Sequence, residues 1–298
     1  MNGFFSMPDP FCISSATGKP LAYYHRTKHQ NDRSSVEGYL GAVREKSHTR
    51  DASPCCRIHN RYMPPDPEHP CMGNILDNPR LTERRFVFSD RHDAGEQLGA
   101  LVSTLPGIHD PVVLAIPAGG VPVGKEVARV LRAPFALAVV RKILIPGTTE
   151  AGFGAITWDG QVLINERLRA ALGLSQAKVD AAIATTRKNV QERITRFSSG
   201  RPFPKIAGKT AILTDDGLAS GFTMLAAVRS IRPRNPAGIV VAVPTASASS
   251  AELVAGQADH LVCLNIRSGQ RFAVAEAYQH WYDLDDREVL TELENMPP

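Results

Sequence analysis

Five short, almost unbroken apolar runs constrain this chain most: 112–117 (VVLAIP), 135–140, 210–214, 238–243 and 260–264. A strand that is apolar at every position needs cover on both faces, which is the situation of a parallel sheet sandwiched by helices. The intervening segments supply those helices. Ser89 or Asp90 can cap a helix that puts Ala94, Leu98, Leu101 and Leu105 on one face. Further helices are predicted over 122–131, 175–199, 223–231, 274–281 and 285–294. Val179, Ile183, Val190, Ile194 and Phe197 form the apolar stripe of the long one. A capping box at Ser249-x-x-Glu252 predicts another helix start. One β-hairpin interrupts the alternation, with Trp158-Asp159-Gly160 as its turn. The expected fold class is α/β, a mainly parallel sheet with helices on both faces.

This pattern begins only near residue 84. Residues 1–83 are expected to form an irregular, mobile extension, and 84–298 a single domain. The first 80 residues hold nine of the 22 prolines, four of the five cysteines and five of the nine histidines, with no sustained apolar period. A short helix over 36–45 is the one regular element predicted there. Cys55, Cys56, His59, His69 and Cys71 carry zinc-ligand chemistry, but their spacing matches no zinc-finger or ribbon pattern. A later start of synthesis, at Met63 or Met72, would also account for the segment's character. No apolar run approaches the roughly 18 residues of a membrane span, and the first residues lack a signal peptide's layout. A cytoplasmic location is expected. The net charge of +4 is dispersed, which argues against a nucleic-acid partner.

The chemistry gathers at two strand ends. In AILTDDGLASGFT (211–223) a strand ends in Asp215-Asp216, and Gly217, Leu218, Ala219, Ser220, Gly221, Phe222 and Thr223 lead into a helix. Small residues allow backbone amides to face one anion, and the helix N-terminus adds positive potential. Ser220 and Thr223 add hydroxyl donors. The two carboxylates cannot bind that same phosphate, so they require a sugar diol or Mg²⁺. A phosphate at one end and a diol at the other describes a ribose 5-phosphate. The second strand end, AIPAGGVPVG (115–124), again places glycines ahead of a helix.

Residues 211–223 resemble the thirteen-residue phosphoribosyl pyrophosphate (PRPP) signature of the type I phosphoribosyltransferases, with Thr214 and Ser220 as the two departures. The whole of 86–298 resembles a bacterial branch of that family. The resemblance implies a parallel-sheet, Rossmann-like fold with a small hood and lid region. It assigns Asp215 and Asp216 to the ribose hydroxyls and the loop behind them to the 5′-phosphate. Ala118, Gly119, Gly120 and Val121 inherit the pyrophosphate loop, although the branch carries arginine where this chain has Ala118. Arg141 and Lys142 match the branch's V-R-K and could supply the missing charge. Residues 143–160 would be the lid, and Glu150 and Glu166 match recurrent acids of the branch without an assigned role.

The implied reaction is transfer of ribose 5-phosphate from PRPP to a nitrogenous base with release of pyrophosphate. This is a pentosyl-transferring glycosyltransferase activity that belongs to nucleotide metabolism. Mg²⁺ would be held mainly by the substrate and otherwise by Asp215 or Asp216. Ala219 stands where the 6-oxopurine enzymes of the family carry an aspartate, which disfavours guanine and hypoxanthine. Phe272, Tyr278, Trp281 and Tyr282 are candidates for a stacking hood over the base, though aromatics at helical spacing are more often core. A homodimer is compatible with the sequence, and no membrane partner is expected. The alternatives are a non-catalytic PRPP-binding regulator on the same fold, and a metal-dependent sugar-phosphate hydrolase using the acidic pair.

Overall fold

The computed structural model describes residues 74–148, 151–197, 202–269 and 271–294. The predicted 36–45 helix, the five cysteine and histidine candidates and Glu150 lie outside the described residues. Six strands form one parallel sheet: β1 (Asn74–Asp77), β2 (Val112–Ala115), β3 (Phe135–Leu137), β7 (Thr210–Thr214), β8 (Gly238–Ser247) and β9 (His260–Arg267). Their spatial order is β1-β9-β8-β7-β2-β3. A second, antiparallel sheet contains β4 (Val140–Leu144), β5 (Gly152–Thr157) and β6 (Val162–Ile164).

Strand alternation divides the core cleanly. Val113, Ile212, Val240 and Val262 point to one face, where α1 (Arg91–Val102) and α2 (Gly120–Leu131) cover them. Leu114, Leu213, Val241 and Leu261 point to the other, under α5 (Phe222–Ile231) and α6 (Ala248–Ala255). Every residue of β2 and β7 is buried, as the unbroken apolar runs require. The antiparallel sheet has its own core, in which Ile143, Phe153 and Ile156 meet Val179, Val190 and Phe197 of α4 (Gln176–Phe197). Between that sheet and α4 runs the short α3 (Glu166–Ala171), and α7 (Asp286–Glu294) adds Val289 to the same cluster. Among the described residues, no helix is long and apolar enough to cross a membrane.

Four local expectations change. The sheet starts at Asn74, ahead of the seam placed after residue 83, because β1 finds the free edge of β9 and pairs with it from Asn74↔His260 to Asp77↔Cys263. The run 135–140 divides into β3 and β4, and half of the described part of the predicted lid, 143–160, is paired sheet with Phe153, Ala155 and Ile156 buried. The helix expected over 274–281 is a single 3₁₀ turn, Val274–Ala277. The cap of α6 is Ser247 rather than Ser249, since β8 runs directly into the helix and the Ser247 hydroxyl accepts from the Ser250 N–H at 3.2 Å.

β2 and β7 are neighbours in the sheet, yet the chain leaves β2 toward β3 on one side and returns as β7 on the other. Such a reversal opens a crevice at the carboxyl ends of the two strands. Ala115 stands level with Thr214 in the register, so the two loops singled out in the sequence emerge side by side.

Candidate active site

The loop after β7 is held from behind. Leu218 is buried, its N–H donates to the Thr245 carbonyl at 2.9 Å, and its own carbonyl accepts from the Ser247 N–H at 3.1 Å. The Ala219 carbonyl accepts from both the Ser247 and Ser250 hydroxyls. Gly217 has to be glycine, because a Cβ there would sit 2.7 Å from Val274 and 2.9 Å from Thr245. Gly221, at φ +69°, ends the loop and begins α5 with no side-chain cap. Apart from the Phe222 N–H, which makes a long contact with the Ser220 hydroxyl at 3.5 Å, the first amides of α5 are left for a ligand, as an anion site requires. Fixed backbone and free donors together make a cradle of about 380 Å³.

Asp215 and Asp216 stand at its floor. The Asp215 Oδ1 accepts the Asp216 N–H at 2.9 Å. Asp216 Oδ2 accepts from both Nε and Nη2 of Arg91 at 3.0 Å, and the Asp216 carbonyl accepts from the Tyr278 hydroxyl at 2.7 Å. Burial and the neighbouring Asp216 charge push the Asp215 carboxyl well above its ordinary range, against the pull of Lys142. Burial also raises Asp216, but Arg91 pulls strongly the other way. Both carboxyls are raised, Asp215 further than Asp216, because Asp216 is locked to the Arg91 guanidinium while Asp215 faces its neighbour's charge.

Arg91 is the residue that sequence reasoning missed. Its guanidinium lies 3.9 Å from the Trp281 ring centroid, donates to the Tyr282 carbonyl at 2.9 Å, and leaves the residue only 6% exposed. Asp216 lies 125 positions away, so proximity in sequence offers no hint. One local signal exists. Arg91 is the first residue of α1, behind the Asp90 cap, where the helix dipole disfavours a cation. A basic residue in that place calls for a fixed anion, and Asp216 is that anion.

The loop after β2 touches the acidic pair directly. A Cβ on Gly119 would fall 1.8 Å from Asp216 Oδ2, and one on Gly120 would fall 2.8 Å from the Thr214 carbonyl. The Pro117–Ala118 peptide is cis. Ala118 and Gly119 line the cradle, while Gly120 and Val121 are buried in the first turn of α2. The unusual Thr214 turns away from the site. Its hydroxyl lies beneath Gly124, where an added Cβ would be 2.5 Å from it, and finds no partner among the described residues. Gly119→Ala is expected to displace the Asp216 carboxylate from Arg91. Thermal unfolding should show a lower midpoint than wild type, and phosphate-ester ligands should bind at least tenfold more weakly.

The remaining candidates separate. Lys142 lines the cradle, whereas Arg141 lines only a neighbouring groove. Ser220, Gly221 and Thr223 line the cradle and Phe222 does not, because it packs against the core under α5. Of the four hood aromatics, Trp281 alone borders the cradle, with Arg91 over its ring. Tyr278 is a core residue, 1% exposed between Phe88 and Trp281, and burial pushes its phenol well up. Phe272 is covered by Arg267, and Tyr282 is exposed. Glu166 opens α3 and pairs with Arg169 on the surface. Among the described residues, no three potential metal-ligating side chains come together.

Comparison with known proteins adds to this geometry. The family model for the phosphoribosyl transferase domain matches residues 98–281, a span that contains both loops. Rv0571c of Mycobacterium tuberculosis (strain H37Rv), provisionally named a phosphoribosyl transferase, is 38% identical over 208 residues, which are 70% of this chain and 46% of that protein. The chain thus spans about half the length of the curated relatives it matches. The crystal structure of TT1426 from Thermus thermophilus aligns with a TM-score of 0.58 and 33% identity, covering 70% of this chain and 98% of that one.

Proposed function

Because the chain belongs to the type I phosphoribosyltransferase family, we propose that it binds PRPP in the cradle and transfers ribose 5-phosphate to a nitrogenous acceptor other than a 6-oxopurine. The observation that carries this reading is the contact between the two loops. The acidic pair at the end of β7 and the glycine loop after β2 share one small cavity, with Gly119 pressed against Asp216. A phosphate-accepting helix start, a diol-accepting carboxylate pair and a second backbone loop stand in the order that PRPP presents its groups.

In this reading the amides of Ala219–Thr223 hold the 5′-phosphate and Asp215 and Asp216 hold the ribose hydroxyls. Ala118–Val121 hold the pyrophosphate, with Lys142 beside it. The ring nitrogen's lone pair forms a bond to C1 as the C1–O bond breaks and pyrophosphate departs with the electron pair. An N–H proton, where the acceptor carries one, passes to water. The chain's contribution is positioning and fixed charge rather than covalent chemistry. For Mg²⁺, the donor set fits an ion held mainly by PRPP oxygens, with Asp215 as its protein carboxylate, because Asp216 Oδ2 is already engaged by Arg91. Such an ion would neutralise charge on the leaving pyrophosphate.

One observation favours the regulator reading: Ala118 leaves the pyrophosphate loop without a side-chain cation. Against it, Lys142, which has no ion pair among the described residues, brings a cation to the cradle from β4. Calorimetry with Mg–PRPP tests the site. Wild-type protein should bind in the micromolar to millimolar range, and the Asp215→Asn/Asp216→Asn double variant should not bind. Unchanged affinity in the double variant would remove the assignment.

A further inference from the structure

Beside the cradle lies a second and larger cavity, about 680 Å³, between β4 and α4. The two adjoin through shared residues: Lys142, Asp215 and Thr223 line both. Its volume is in the range of small-molecule sites. Its walls are unlike those of the cradle. Ile116, Pro117 and Val140 make an apolar side, and α4 faces them with Ala181 and Ala182, whose short side chains leave the space open. Further along the helix, Lys178, Thr185 and Asn189 fall on the same stripe, at helical spacings of three, four and seven.

The charge balance of this groove is the informative feature. Arg141, Lys142 and Lys178 face a single carboxylate, Asp215, and none of the three cations has an ion pair among the described residues. A further cation lies behind them: Arg193, one helical turn beyond Asn189, is paired with Asp286 at 2.6 Å, and burial and the charge of Arg141 lower its proton affinity. One of its buried nitrogens lacks a partner among the described residues. Three cations facing one carboxylate give the groove a net positive charge that favours an anionic ligand. Arg141 and Lys178 do not line the cradle, so the phosphates proposed there leave both unanswered.

We propose that this groove is the acceptor site and that the acceptor is a small heterocycle bearing a carboxylate. The inference rests on the transferase reading and names its substrate class. The apolar wall and the alanines would take the ring, Asn189 a ring heteroatom, and Arg141 and Lys178 the carboxylate, a group that guanidinium can grip with two parallel hydrogen bonds. The shared boundary at Asp215 and Thr223 would bring the ring nitrogen to the ribose.

The test uses the full chain saturated with Mg–PRPP. Pyridine-3-carboxylate, pyrimidine-4-carboxylate and imidazole-4-carboxylate, each with its uncharged amide, are titrated while saturation transfer to the ring protons is followed. At least one acid should bind at least tenfold more tightly than its amide. Lys178→Ala and Arg141→Ala should each cut that preference at least fivefold, and Lys178→Ala should leave Mg–PRPP affinity unchanged. Lys178 is exposed on a helix, so its alanine variant is expected to fold. Amides binding as well as the acids, no acid binding, or a preference that survives both substitutions would overturn the acceptor assignment. Failure of the wild type to bind Mg–PRPP would instead overturn the transferase reading beneath it.

Discussion

Asp215→Asn should raise the thermal midpoint by a few degrees while weakening PRPP binding about 100-fold. The two effects have one origin. In the free protein Asp215 is a half-buried carboxylate set against a second carboxylate, Asp216, and its raised proton affinity expresses that conflict. Between the ordinary aspartate range and the raised value, the native state keeps a proton that the unfolded chain has released. Stability therefore falls as pH rises through this window and stays lowered above it. Asparagine keeps an oxygen to accept the Asp216 N–H and removes the charge, so the variant should be more stable near neutral pH and lose this pH dependence. The same charge is what a sugar diol needs. Each charge-assisted hydrogen bond contributes about 1.5–3 kcal/mol, and losing one near the upper end of that range gives roughly the stated fall. Melting curves from pH 4 to 8 alongside PRPP titration check both halves. A variant no more stable than wild type would show that the pair is not in conflict.

Breaking the other half of the pair should act in the opposite sense. Arg91→Ala leaves Asp216 without its cation, and Asp216→Asn leaves Arg91 without its anion. Arg91 is 6% exposed, and the Asp216 side chain is 16% exposed. Removing one member of such a buried pair costs about 3–5 kcal/mol, which for a domain of this size lowers the midpoint by roughly 10 °C. Arg91→Ala also removes the guanidinium from the Trp281 ring and from the Tyr282 carbonyl, so it loosens the segment that follows the 3₁₀ turn. Thermal melts of Asp215→Asn and Asp216→Asn should thus move in opposite directions. Movement of both in the same direction would contradict the split between the two carboxylates.

The sequence made some of this legible and hid the rest for physical reasons. The end of β7 could be read because a thirteen-residue run contains everything the ribose phosphate needs: carboxylates, small residues and a helix start, all local. Gly119 and Gly120 could be placed as a loop, but the reason they are glycine, contact with Asp216 and Thr214, is tertiary. Arg91 was invisible for the same reason. The hood candidates could not be sorted because Tyr278 and Trp281 look alike in sequence, while only the fold sends one into the core and the other to the cradle. The lid was implied by the family resemblance alone. Gly154 serves close strand packing, where a Cβ would lie 2.5 Å from the Leu163 carbonyl. The groove along α4 left no motif at all, since the second stripe of that helix is small and polar and resembles an ordinary solvated face.

Pyrophosphate release tests the transferase reading most directly. With Mg²⁺ and PRPP, the wild-type protein should release pyrophosphate only when a nitrogenous acceptor is added, and the Asp215→Asn/Asp216→Asn variant should release none. Clear PRPP binding with no release for any acceptor would contradict the account in favour of a regulator, and release without any acceptor would contradict it in favour of a hydrolase.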